Sequence, residues 1–113
     1  MNLTIGIISC NRLNYLRTLI NSLKCLKSDN THFIEIVVVD NGSKEDGLIN
    51  YLNTEKENGF INNLILNHDR DWCNDEYKAK NIIIKESQYN VILFLQDDIN
   101  FIGTLNYLVK AYD

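Results

Sequence analysis

Two adjacent aspartates, Asp97 and Asp98, follow the apolar run VILFL and Gln96. Like charges at this separation repel each other, and each carboxylate loses hydration as it approaches a core. A cation or a set of hydrogen-bond donors should therefore offset the cost. Carboxylate oxygens suit Mg²⁺ and Mn²⁺, whose sites commonly combine one or two carboxylates with substrate phosphates and water. The pair favours a divalent-metal site that holds a diphosphate, and a solvated acidic turn is the alternative.

Two further polar clusters also follow apolar runs. SCNR (residues 9–12) comes after LTIGII, and DNGS (residues 40–43) comes after FIEIVVV. Asp40 either closes a local turn or accepts hydrogen bonds from a nucleobase or ribose. Arg12 stands near the start of a helical segment, where backbone amides also favour anions, so it is a candidate phosphate contact. Lys80 is a candidate contact to phosphate or base, with a solvated surface lysine as the alternative.

The elements that must position these clusters alternate along the chain. β-Branched and apolar runs predict strands over residues 3–8, 33–40, 63–67 and 90–95. Helical segments are predicted over residues 14–27, around 48–52, over 76–87 and over 103–112, with a loop at 68–75. Four strand–helix alternations predict an α/β, Rossmann-like, mostly parallel sheet of about four strands with helices on both faces.

In such a sheet, ligands collect at the carboxyl ends of the strands. The clusters after the first, second and fourth predicted strands should therefore lie along one edge, which we expect to be the functional site. GxGxxG is absent after the first strand, and GxxxxGK[ST] is absent throughout. A dinucleotide-dependent dehydrogenase and a P-loop enzyme are thus disfavoured.

The bulk composition narrows the class of partner. The chain has 113 residues, 45% of them apolar and 23% charged, which predicts a single domain over residues 1–113. A net charge of −4 argues against a nucleic-acid partner. No apolar stretch approaches the roughly 20 residues that cross a bilayer. Three cysteines without metal spacing indicate reduced thiols in a cytoplasmic protein.

Four segments together resemble the nucleotide-binding half of GT-A glycosyltransferases of the family 2 type. They are TIGIISCNRLNYLRTLINSL, EIVVVDNGSKED, AKN and ILFLQDDI, and they extend over almost the whole chain. VVVDNGSKED is the most specific of them. The chain departs from the family pattern at Ile8, where the family has proline, at Cys10, which replaces tyrosine, and at Gln96, which replaces an acid.

The resemblance implies a role for each matching residue. Asp40 corresponds to the acid that hydrogen-bonds the nucleobase, Asp97 would face the ribose, and Asp98 would bind the metal, Mn²⁺ or Mg²⁺, on the diphosphate. Lys80 takes the place of the family's basic contact. The expected nucleotide-sugar site comprises Ser9, Cys10, Asn11, Arg12, Asp40, Asn41, Gly42, Lys80, Gln96 and Asp97, with Asp98 as metal ligand.

The resemblance implies a domain that binds a nucleotide-diphosphate sugar, with a UDP-sugar favoured, as the donor half of an inverting glycosyl transfer. The family's second half supplies the acceptor pocket and the catalytic base, and no candidate for that base is found here. The chain is thus interpreted as a truncated or minimal GT-A domain. A truncated sheet could expose apolar surface that pairs in a homo-oligomer. The first alternative is a non-catalytic sugar-nucleotide-binding or assembly module. The second is a nucleotidyltransferase.

Overall fold

The computed structural model describes residues 2–27, 33–67 and 76–97. Four strands and three helices alternate along them: β1 (Asn2–Ser9), α1 (Leu13–Lys27), β2 (Phe33–Asp40), α2 (Leu48–Glu57), β3 (Asn63–Leu66), α3 (Glu76–Glu86) and β4 (Val91–Gln96). Every predicted element in this part of the chain is confirmed, with ends that differ by one or a few residues. The predicted loop at 68–75, the predicted helix at 103–112 and Asp98 lie outside the described residues.

The four strands form one parallel sheet in the order β3-β2-β1-β4. This confirms the predicted α/β architecture. The chain builds the sheet outward from β1 through β2 to β3, and then returns to place β4 on the other side of β1. The order of strand addition therefore reverses between β1 and β4, which makes the crevice between their carboxyl ends the topological switch point of the sheet.

The side chains of the central strands belong alternately to two separate apolar layers, because successive residues of a strand point to opposite faces. One layer joins Ile5, Ile7 and Ile36 to the apolar stripes of α1 and α2. Its helical members are Leu16, Leu19, Ile20, Leu23, Leu48 and Leu52. The other layer joins Ile8, Val37 and Val39 to Ala79 and Ile83 of α3. Helices therefore cover both faces of the sheet.

Gly6 allows α3 to pack closely on the second face. A Cβ atom at Gly6 would lie 2.6 Å from Cγ2 and 2.9 Å from Cδ1 of Ile83. Both distances are far below van der Waals contact, so a glycine in the centre of β1 fixes how near α3 lies to the sheet.

The opposite, amino-terminal edge of the sheet holds a buried polar network. Thr4 Oγ1 donates to Glu35 Oε1 at 2.9 Å and lies 2.6 Å from Ser87 Oγ, and Gln88 N–H donates to the same Glu35 oxygen at 2.9 Å. Thr4 is fully buried and Glu35 is 6% exposed. These bonds satisfy the buried carboxylate and connect the start of β1 and β2 to the turn after α3.

The cysteines differ from the sequence-based expectation. Cys10 is disulfide-bonded, whereas Cys25 is a free, exposed thiol. The expectation of reduced thiols is therefore wrong for Cys10, and the cytoplasmic location that rested on it stays a prediction. Within the described ranges, no helix is both long enough and apolar enough to span a bilayer.

Candidate functional site

The carboxyl ends of β2, β1 and β4 lie side by side. Ser9 pairs with Asp40 in the β1–β2 register, and Ile8 pairs with Gln96 in the β1–β4 register. The structure thus brings the polar residues that follow these three strands to one edge, which we call the carboxyl edge. The loop after β1 lies in the middle and borders both of the other clusters.

Asp40 is fully buried, and donors of its own chain surround its carboxylate. Oδ1 accepts from Ser9 Oγ at 3.1 Å and from Ser43 Oγ at 2.5 Å, while Oδ2 accepts from Ser43 N–H at 2.8 Å. Hydrogen bonds of this kind offset the cost of burying a charge. Asp40 therefore closes the turn after β2, which is the local role weighed for it from the sequence, and in this arrangement it presents no exposed surface.

Asn11 connects the loop after β1 to the loop after β2. Its backbone has φ of 54°, a left-handed conformation that asparagine tolerates better than most residues. Its N–H donates to Ser43 Oγ at 2.9 Å. Its Oδ1 accepts from Lys44 N–H at 2.6 Å and from Glu45 N–H at 3.1 Å. The Asn11 side chain is thus committed to the neighbouring loop.

Glu45 completes the connection between these loops. Its Oε2 accepts from Leu13 N–H at 3.2 Å, so it satisfies one of the free amides at the start of α1. Sequence reasoning placed Ser43 in the cluster of residues 40–43 but did not name it among the nucleotide-sugar contacts, and it missed Glu45. The spacing of Asp40 and Ser43 is typical of a side-chain-closed turn and could have identified Ser43. The partner of Glu45 lies 32 positions away, and no local pattern indicates it.

Asp97 is 4% exposed, and its carboxylate has both a hydrogen-bond donor and a cation as partners. Its Oδ2 accepts from Cys10 N–H at 3.3 Å, and Oδ1 lies 3.7 Å from Arg12 Nε. The Arg12 side chain is half exposed, so its cationic group borders solvent at the switch point. An internal cation and an amide therefore offset the charge of the first of the two adjacent acids.

Asn41 and Gly42 are buried in the turn after β2. Asn41 N–H donates to Ser9 O at 2.9 Å, and its Oδ1 accepts from Asn67 Nδ2 at 3.2 Å. Gly42 has φ of 84°, a conformation that side-chain-bearing residues rarely adopt. The hydrogen bonds of Asn41 and the backbone conformation of Gly42 therefore hold the path of the chain from the end of β2 to Ser43.

Lys80 lies on α3, in the layer on the second face of the sheet. Its Nζ lies 5.8 Å from the centre of the Phe94 ring, a cation–π distance. Phe94 belongs to β4 and pairs with Gly6, two positions before the strand end. Lys80 therefore lies on the face of the sheet covered by α3, near the last residues of β4. Gln96 is exposed at the carboxyl edge itself.

The described residues do not by themselves assemble a metal site. Within residues 2–27, 33–67 and 76–97, no group of three or more His, Cys, Asp or Glu side chains is arranged to hold an ion. The carboxylates of Asp40 and Asp97, which follow the strands directly, are buried and bonded within the chain. The predicted ligand Asp98 lies outside the described residues.

Comparison with known proteins gives one family. The family model described as Glycosyl transferase family 2 matches residues 4–113, nearly the whole sequence. A comparison with curated protein sequences finds no match.

Solved structures with the same fold include three of S. aureus TarS. The structure titled only with that name shares 21% identity and superposes with a TM-score of 0.77, over 99% of this chain and 19% of that one. TarS 1–349 in complex with UDP gives 21% identity and a TM-score of 0.77, over 99% of this chain and 32% of that one. TarS 1–349 in complex with UDP-GlcNAc gives 22% identity and a TM-score of 0.74, over 99% of this chain and 30% of that one. This chain thus spans between a fifth and a third of those chains, and at these identities the likeness is one of fold.

Proposed function

The chain belongs to glycosyl transferase family 2, and on this premise we propose that it binds a nucleotide-diphosphate sugar at the carboxyl edge as the donor half of an inverting glycosyl transfer. The observation that carries the proposal is the position of the polar clusters. The loops after β1 and β4 flank the switch point of a parallel sheet, where ligands of such sheets bind.

The side chains at this point suit a diphosphate. Arg12 supplies a half-exposed guanidinium beside the start of α1, and guanidinium groups bind phosphate oxygens through paired hydrogen bonds. The net charge of the chain is negative, so attraction of the ligand must come from such local groups rather than from the overall field. Gln96, exposed on the edge, adds a neutral polar group.

A UDP-sugar is the proposed ligand. Structures of TarS with the same fold are complexes with UDP and with UDP-GlcNAc. The residues predicted from the sequence are proposed to contribute to this site either by contact, as for Arg12, or by supporting the loops that border it, as for the buried Asp40.

A divalent ion, Mn²⁺ or Mg²⁺, is proposed to accompany the ligand through Asp98. Because the oxygens of Asp97 are engaged by Cys10 N–H and Arg12, Asp98 and the ligand's own phosphates would provide the ion's oxygen ligands, in keeping with sites of one carboxylate plus substrate phosphates. Such an ion, when bound, offsets negative charge on the diphosphate.

Thermal denaturation tests the proposal directly. Ligand that binds only the native state raises its stability by about 2.7 kcal/mol when its concentration is a hundredfold above Kd. We expect UDP with Mn²⁺ to raise the Tm by several degrees, and Asp98→Ala to remove the Mn²⁺-dependent part of the shift. Glu57→Ala, which removes an exposed acid at the end of α2, is the matched control and should respond as wild type. An unchanged Tm, with no heat of binding in calorimetry, would refute the proposal.

The alternative of a binding module without transfer is favoured by one observation. In the described part of the carboxyl edge, the Asp40 and Asp97 carboxylates are both buried and bonded to donors of the chain. A general base must reach the hydroxyl that it deprotonates, and neither carboxylate is exposed to do so. Release of UDP from UDP-GlcNAc by this chain, with or without an acceptor, would exclude this alternative.

A further inference from the structure

We infer that Asp40 and Asn11 are positioning residues of the nucleotide site: they hold the loops after β1 and β2 together and act on the nucleotide through those loops rather than by touching it. This inference rests on the proposed nucleotide binding. It assigns Asp40 a role different from the direct base contact that the family resemblance implies.

The first argument is the burial of the Asp40 carboxylate among donors of its own chain. It has no solvent-exposed surface and accepts three hydrogen bonds, from Ser9 Oγ, Ser43 Oγ and Ser43 N–H. A base that approached this carboxylate would have to displace a donor that is itself buried. Leaving such a donor unpaired costs more than the net value of the new hydrogen bond.

The second argument is the direction of the hydrogen bonds between the loops. The Ser43 hydroxyl donates its proton to Asp40 and accepts from Asn11 N–H, so the charge of Asp40 orients the hydroxyl for Asn11. Asn11 Oδ1 then accepts from Lys44 N–H and Glu45 N–H. One continuous network therefore runs from the end of β2 to the loop after β1.

The third argument is what this network supports. Asn11 is flanked by Cys10 and Arg12, which contact Asp97 at the switch point. The loop after β2 cannot shift without moving Asn11, and Asn11 cannot shift without moving its two neighbours. The network thus sets the position of the groups that border the proposed diphosphate.

Base selectivity distinguishes positioning from direct contact. Uracil presents an N–H donor at N3, where cytosine presents an acceptor. Asp40→Asn replaces one acceptor oxygen by a donor NH₂ group. A direct contact would therefore lose uracil selectivity in Asp40→Asn, whereas a positioning residue would leave the ratio of the UDP and CDP dissociation constants unchanged.

The experiment measures binding of UDP and CDP by calorimetry, with Mn²⁺, on the full chain at a temperature where every variant is folded. We expect Asp40→Ala to weaken both nucleotides by about tenfold, the loss that corresponds to one net hydrogen bond. Asp40→Asn should recover part of that loss, because the serine hydroxyls can turn to accept from its NH₂ group. The UDP to CDP ratio should stay within about twofold of wild type in both variants.

Two controls separate positioning from general loss of stability. Thr4→Val breaks the buried network at the opposite edge of the sheet and should lower the Tm without changing either dissociation constant. Amide hydrogen exchange should rise at Asn11, Lys44 and Glu45 in Asp40→Ala and remain at the wild-type rate in Thr4→Val.

Three results would overturn the inference: a tenfold change of the UDP to CDP ratio in Asp40→Asn, unchanged affinities in Asp40→Ala, or unchanged exchange at those amides. Wild-type protein that binds neither nucleotide would instead refute the proposed function and, with it, this inference.

Discussion

At the scale of single residues, the partners of a carboxylate decide what it can do at this edge. Asp40 and Asp97 both follow strands and are both buried, yet Asp40 meets only neutral donors and Asp97 also meets a cation. The sequence places both acids at strand ends but does not show which donors surround them. Ser43, three positions from Asp40, is a local donor. Ser9 lies 31 positions from Asp40 and Cys10 lies 87 positions from Asp97, and only the folded sheet brings these two donors near.

The Arg12–Asp97 pair gives a prediction about stability. Arg12→Met should destabilise the protein by about 1 kcal/mol, because it removes the cation beside the buried Asp97 carboxylate. The loss is small because the Arg12 side chain is itself half exposed and its charge is screened by solvent. In an Asp97→Asn background the same change should have little effect, since no charge remains to be neutralised. Urea denaturation of the four proteins of this cycle measures the coupling. Equal losses in both backgrounds would show that Arg12 stabilises the fold through other contacts.

Tyr51 gives a prediction about pH. Burial, and to a lesser degree the nearby Glu55 charge, raises the pKa of Tyr51 from 10.0 to about 12, although Arg17 lowers it. Among the residues that the structure describes, the buried Tyr51 hydroxyl has no hydrogen-bond partner. A raised folded-state pKa contributes stability that is complete below pH 10 and is lost as the pH rises toward 12, because the unfolded chain releases this proton first.

Tyr51→Phe should therefore be neutral or stabilising at pH 7, where it removes an unpaired buried hydroxyl. Its advantage over wild type should grow between pH 10 and 12. The difference between the two Tm values, measured at each pH, isolates Tyr51 from the lysines that titrate in the same range. A difference that stays constant with pH would contradict the assignment.

At the scale of elements, local pattern predicts the strands and helices but not their distance from each other. The spacing of Leu16, Leu19, Ile20 and Leu23 predicts α1, and all four side chains are buried as that pattern requires. The packing of α3 depends instead on Gly6, whose absent side chain leaves room for Ile83. A glycine within a β-branched run does not reveal from sequence which helix fills its place.

Gly6→Ala tests this close packing. The added methyl group would meet Ile83 at 2.6 Å, so we expect a loss of about 1–3 kcal/mol from overpacking. Ile83→Ala removes the opposing atoms and leaves a cavity of its own. The double variant should therefore lose less stability than the sum of the losses in the two single variants. Chemical denaturation of both single variants and the double variant provides the comparison. Additive losses would mean that Gly6 is required for another reason.

At the scale of the whole molecule, the alternation of elements predicted the parallel sheet, and the family resemblance predicted the GT-A fold that the solved structures share. The strand order and the link between the first two loops were not predictable from local pattern. They depend on pairings between distant segments, as in the contact of Asn11 with Lys44 and Glu45. The predicted homo-oligomer stays a prediction.

The central place of β1 has a consequence for biosynthesis. Residues of β1 are made before those of β2 and β4, yet Leu3 pairs with Ile34 on one side and with Val91 on the other. While the ribosome translates the intervening codons, one side of this strand has no β4 to bond with. Closing such distant pairs is slow, so the crevice between β1 and β4 is completed only after β4 has emerged.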